Sequence, residues 1–164
     1  MTMQRTLPIL VLLALLLGGG AARAACLLCT CTATAVNIDF GVYVPIAVSS
    51  TDSVGSVRVR CSLAGTGTLP LLVSYDLGLS AGNSGSTAAR EMRSSGSPLS
   101  YNLYADSARS RIWGEAGSAD QVTVSYGTGL FGTWVQTDMY GRIFARQNPR
   151  PGSYSDTIVV TVSY

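Results

Sequence analysis

Tyr154-Ser-Asp-Thr-Ile-Val-Val-Thr-Val-Ser-Tyr164 alternates apolar and polar residues up to its last position. Tyr154, Ile158, Val160, Val162 and Tyr164 fall on one face, and Ser155, Thr157, Thr161 and Ser163 on the other. That is the period-two pattern of a strand buried on one side. Nothing follows it in the sequence to cover its edge, and an uncovered edge strand is a template for pairing with another chain. The stretch predicts a β fold and directs the search for function toward a partner protein rather than a small substrate.

Working back from it, the same alternation recurs in short runs separated by Gly, Ser, Pro and Asn clusters, with no helical period. Val36, Ile38 and Phe40 share a face before Gly41, and Val57, Val59, Cys61 and Leu63 form the next inward row. Leu69, Leu71, Val73 and Tyr75 follow, then Leu99, Tyr101 and Leu103, then Val122, Val124 and Tyr126, then a less regular apolar stretch from Leu130 to Val135. Cys31 is out of phase with Val36, Ile38 and Phe40, which predicts a bulge or bend between them. The segment Gly78 to Pro98 carries almost no apolar pattern and reads as a long surface connection. Many short strands without helices indicate an all-β antiparallel sandwich of the immunoglobulin-like kind.

The first 24 residues read as an export signal: Arg5, an apolar run from Leu7 to Leu17, Gly18-Gly-Gly20, and the small-x-small site Ala22-Arg23-Ala24. The run is half the roughly twenty residues that a membrane-spanning helix needs. A lipidated Cys26 would require an apolar residue at the position of Arg23. Removing 24 of 164 residues leaves 140 (25–164), which suits one domain with a real core. Its nine Arg balance nine Asp plus Glu and are scattered, so no basic stripe argues for nucleic acid.

The four cysteines, Cys26, Cys29, Cys31 and Cys61, read first as disulfides in an exported chain. Three pairings are open. Cys61 lies on the inward row and should meet one of the N-terminal three. Cys31 is the expected partner, leaving Cys26 and Cys29 to pair with each other or stay partly reduced. A bridge closing the loop from 31 to 61 contributes about 3.5 kcal/mol in the chain-entropy model.

Enzyme chemistry is poorly provided for. With no His and no Lys, the commonest general base, the imidazole ligand and the Schiff-base nucleophile are all missing. Asp76, Glu91, Asp106, Glu115 and Asp156 are dispersed and form no acid pair by spacing. A metal site on Cys26-Leu-Leu-Cys29-Thr-Cys31 would need Cys61 as its fourth ligand, and a redox dithiol would need a helix N-terminus or a basic neighbour. No such neighbour is visible, and no cofactor or metal is expected. Trp113 is expected in the core; Trp134, in Phe131-Gly-Thr-Trp134-Val135, fits a core or a binding face.

Taken together, several stretches resemble the spore coat protein U domain, the subunit family of the archaic chaperone-usher pili. They are Cys31 followed by Phe40-Gly41-Val42-Tyr43-Val44-Pro45; Gly55-Ser-Val57-Arg-Val59-Arg-Cys61; Arg90-Glu-Met92; Leu99-Ser-Tyr101-Asn102-Leu103-Tyr104-Ala-Asp106; and Ile112-Trp113-Gly114. Tyr140-Gly141-Arg142-Ile143, Gln147 and Gly152-Ser-Tyr154-Ser-Asp156-Thr157 complete the set in order. The resemblance implies an incomplete immunoglobulin-like sandwich awaiting a donated strand, with a groove at Tyr154, Ile158, Val160, Val162, Tyr164, Val57 and Val59. It implies a secreted structural or adhesive pilus subunit and no enzyme. The implied partners are a periplasmic chaperone, which holds the Tyr164 carboxylate, an outer-membrane usher and sibling subunits. It also places the chain in the periplasm in transit and then on the cell surface. Four or five donated apolar side chains would supply roughly 6 to 15 kcal/mol, comparable to the whole stability of a domain, about 5 to 15. Only Ala25 to Thr30 precede Cys31 as a possible donor segment, so a weak or absent donor role is expected. A self-contained secreted coat or matrix sandwich is the alternative, and a thiol redox or metal-binding protein the next.

Overall fold

The computed structural model describes residues 29–63, 72–127 and 132–164. The expected leader and Cys26 lie outside these, as do Leu69, Leu71 and Leu130. The described chain forms eight strands: β1 Cys29–Val36, β2 Thr51–Leu63, β3 Leu72–Leu79, β4 Glu91–Ser94, β5 Ser97–Tyr104, β6 Val122–Gly127, β7 Val135–Ile143 and β8 Val160–Ser163. All pair antiparallel, in one sheet ordered β1-β2-β7-β5-β4 and another ordered β6-β3-β8.

Alternation explains the register. Cys31 stands opposite Cys61, Ala33 opposite Val59 and Ala35 opposite Val57, so these residues share the inward face of the β1–β2 pair. Val57, Val59 and Cys61 are wholly buried, with Tyr75, Leu77 and Leu79 of β3 supplying the other half of the core. Trp113 is fully buried as well, and its indole N–H donates to the Leu77 carbonyl at 2.9 Å.

Three regions differ from the sequence reading. The expected surface connection from Gly78 contains the end of β3, two single 3-10 turns at Gly82–Ser84 and Thr87–Ala89, and the short strand β4. β4 has a single inward apolar residue, Met92, too few for a periodic signal, and it is set by its hairpin with β5. The hairpin turn is Ser95-Gly96, with both residues at positive φ (46° and 81°), the geometry whose twist matches paired strands. β7, central to the larger sheet, also escaped the pattern because its inward row passes through Thr137 and Gly141. Finally, the terminal alternation is one strand only over Val160–Ser163. Ser155 makes a two-way backbone bridge with Arg93 of β4, and the chain then crosses to β3 of the other sheet.

The crossing is held by Asp156. Its carboxylate accepts from the Tyr101 hydroxyl at 2.7 Å and from the backbone N–H groups of Asn83 and Thr157 at 2.8 Å. Glycine at 82 has φ +66° and faces that carboxylate so closely that a Cβ would collide with Oδ2.

Cys29 and Thr30, expected ahead of the sandwich, already belong to β1, opposite Leu63 and Ser62. Beyond Val36 the strand ends, which is where the phase of Cys31 gives way to that of Ile38 and Phe40. These two side chains lie across β2 and β7: a Cβ at Gly55 would meet Ile38 Cγ1 at 2.7 Å, and one at Gly141 would meet the Phe40 ring at 2.6 Å.

Candidate functional site

β1 is a terminal strand of one sheet and β8 a terminal strand of the other. Ala33 and Ala35 face inward by register, beside the wholly buried Val59 and Val57, yet both are exposed. No described strand covers them. Between the two open edges runs an apolar cleft of about 410 Å³. Ala35, Val36, Ile38 and Phe40 form one wall and Tyr154, Ile158 and Val160 the other. Met92, Tyr101, Leu103 and Met139 are its floor.

A second lobe of about 860 Å³ continues past Phe40 to Tyr43 and Pro45, facing Pro149 to Tyr154. Tyr43 fixes this end: its hydroxyl donates to the Phe144 carbonyl and accepts from the Gln147 N–H at 2.8 Å. The Gln147 side chain accepts from the Ser100 N–H and donates to the Ser100 carbonyl, tying the loop to β5. The loop beyond is apolar and bare, with Val42 86%, Ile46 90% and Val48 77% exposed.

Backbone pairing of the C-terminal wall is one-sided. Ser155 pairs with Arg93, Val159 accepts from the Ser80 N–H, and Val160–Ser163 pairs with β3. The opposite edge of this wall looks onto the cleft. The floor is apolar except where Tyr101 meets Asp156, and burial, then the bond to Asp156, pushes the Tyr101 phenol well above its ordinary range. A cleft of this kind, with open β-edges on both sides and an apolar floor, has the geometry for seating an extended polypeptide.

Of the residues expected at a groove, Tyr154, Ile158 and Val160 line the cleft. Val162 is half-buried against the core and Tyr164 is about half exposed; neither is among the cleft-lining residues. Val57 and Val59 lie beneath, wholly buried in the core. The floor residues Met92, Leu103 and Met139 were not foreseen as part of a site. Gly55 and Gly141 were the available signal, since side chains must pass over them.

Cys31 and Cys61 form a disulfide across β1 and β2. Cys29 is disulfide-bonded too, while Cys26 lies outside the described residues. Trp134 is 43% exposed and stacks under the Arg60 guanidinium, 5.0 Å from its ring centre.

The comparisons agree with this architecture. A chain in the crystal structure of the CsuC-CsuE chaperone-tip adhesion subunit pre-assembly complex, from archaic chaperone-usher Csu pili of Acinetobacter baumannii, superposes with TM-score 0.54 at 21% identity. The match covers 84% of this chain and 40% of that one, and it establishes an immunoglobulin-like antiparallel fold. This chain thus spans about two fifths of the length of that relative. Protein U of Myxococcus xanthus is 33% identical over 138 residues, 77% of this chain and 71% of that protein. The family model of the Spore Coat Protein U domain matches residues 21–161. The chain therefore belongs to the Spore Coat Protein U domain family.

Proposed function

We propose that this chain is a structural or adhesive subunit of a surface fibre built by a chaperone and an usher, and that its cleft accepts an extended strand from another polypeptide. The observation that carries the reading is the exposure of Ala33 and Ala35 on an inward face, opposite an unpaired edge of the C-terminal segment. A strand laid there pairs its main chain with both edges and buries alternate side chains on the methionine and leucine floor. In transit the occupant is a strand of a periplasmic chaperone, whose basic residues hold the end at Tyr164. In the fibre it is an extension of a sibling subunit. Residues 1–24 export the chain, which passes through the periplasm to the cell surface.

The test is thermal unfolding of residues 25–164 with and without a synthetic ten-residue peptide of alternating apolar residues. At 100-fold excess over Kd the peptide should stabilise the fold by about 2.7 kcal/mol. For a domain of this size that is a rise of roughly 5 to 15 °C. A monomer that is heat-resistant alone and indifferent to both peptide and chaperone would establish instead the self-contained coat or matrix reading.

A further inference from the structure

The chain has four methionines, and two of them, Met1 and Met3, lie in the expected leader. The other two, Met92 on β4 and Met139 on β7, come from strands separated by β5, and both stand on the floor of the one cleft. Met92 also lines the second lobe, so it stands where the two lobes join. The exposure each retains is small, 8% and 7%. A bound strand would remove it.

Thioethers are flexible and polarizable, and they suit a floor that must fit differing side chains. They are also oxidisable. The competing sulfur sinks are closed among the described residues, because Cys29, Cys31 and Cys61 are all in disulfides. Oxidation would place a strongly polar oxygen among side chains such as Leu103, Ile158 and Val160, which offer no donor, while the hydroxyl of Tyr101 on the same floor is committed to Asp156. A polar group left unpaired under a seated strand opposes seating.

We propose that Met92 and Met139 are a modification site: hydrogen peroxide converts them to sulfoxides while the cleft is empty, and the oxidised cleft rejects a strand. This rests on the strand-accepting reading of the cleft. In the reaction the thioether sulfur attacks one peroxide oxygen, the O–O bond breaks and an S–O bond forms. The displaced hydroxide takes the proton from that oxygen and leaves as water. Sulfur loses two electrons and the peroxide gains them. Methionine sulfoxide reductases reverse the change.

The experiment treats residues 25–164 with hydrogen peroxide, alone and with the alternating apolar peptide bound, and reads oxygen incorporation by mass spectrometry and peptide affinity by titration. In the open protein each methionine should gain one oxygen, and affinity should fall about tenfold or more, with reductase restoring it. Bound peptide should slow incorporation by about tenfold, as expected of a shielded side chain. The Met92→Leu/Met139→Leu variant conserves volume, so it should fold, and its own affinity for the peptide, measured before any oxidant is added, is its reference. It should also keep that affinity after peroxide. Three results overturn the proposal: methionines that resist oxidation in the open protein, oxidised protein that binds as before, or a Leu variant that loses affinity to the same extent. Untreated protein that ignores the peptide overturns the strand reading first, before any oxidant is added, and this inference with it.

Discussion

Arg90 and the cleft are opposite solutions to an unfilled space between two sheets. Arg90 is wholly buried, and its five N–H groups are all used. Nε donates to the Ser80 carbonyl, Nη1 to Asn102 Oδ1 and the Thr87 carbonyl, and Nη2 to the carbonyls of Leu79 and Trp113. One side chain thereby ties the end of β3, a 3-10 turn, β5 and the Trp113 turn together. Burial lowers its pKa from the ordinary arginine value; carbonyl groups take all its hydrogen bonds, and the nearby Asp156 and Glu115 charges offset part of the cost. In the cleft the balance is reversed: apolar groups are half covered, and no described strand pairs with the outer edges of β1 and β8. Saturated polar contacts make a permanent joint, while the apolar ones of the cleft stay open, as the proposed strand-accepting role requires.

Arg90→Met opens the permanent joint and should have the largest effect. Four backbone carbonyls lose the guanidinium donor while the Asn102 amide oxygen keeps the Leu103 N–H, and at about 1–3 kcal/mol per orphaned group, relieved in part by the lost charge desolvation, the net cost should be about 3–5 kcal/mol. Urea unfolding at neutral pH measures it. An unchanged midpoint would mean that the joint does not hold the sheets.

Gly141→Ala probes the cleft wall. The added methyl meets the Phe40 ring, so the fold should lose about 1–3 kcal/mol by overpacking, and Phe40→Leu in the same chain should recover most of it. Absence of recovery would show that Phe40 does not set the spacing of the wall.

The smallest effect carries the opposite sign. Tyr75 and Tyr126 are buried edge to face with ring centres 6.0 Å apart, and neither hydroxyl has a hydrogen-bond partner among the described residues. Tyr75→Phe should therefore be neutral or stabilising by up to about 1 kcal/mol. Burial first, and Tyr126 second, push the Tyr75 phenol from 10.0 up to about 12. Because the folded value is raised, its contribution is complete below pH 10 and is lost as pH rises toward 12. The variant should flatten stability across that alkaline window, as read by urea midpoints at stepped pH.

Much of the fold was legible because alternation is local. β2, β5 and β6 announce themselves in rows such as Val57, Val59 and Cys61, and an inward Cys61 calls for a partner among the N-terminal cysteines, which the fold supplies in Cys31. β4 and β7 were not legible. The first has one inward apolar residue, and the second needs glycine at 141 only because Phe40, a hundred residues earlier, lies on it. The joint at Arg90 was not legible either, since its five acceptors come from four separate segments.

From its residues alone this chain reads as a disulfide-bearing β protein whose last alternating stretch calls for a neighbouring strand, since composition and period-two burial need no knowledge of distant contacts. Where that want is located was decided in three dimensions. The C-terminal segment changes sheets at Asp156, and β1 stops at Val36, so two edges from different sheets come to wall one cleft. Pairing across sheets depends on which strands become neighbours, and no window of sequence contains that choice.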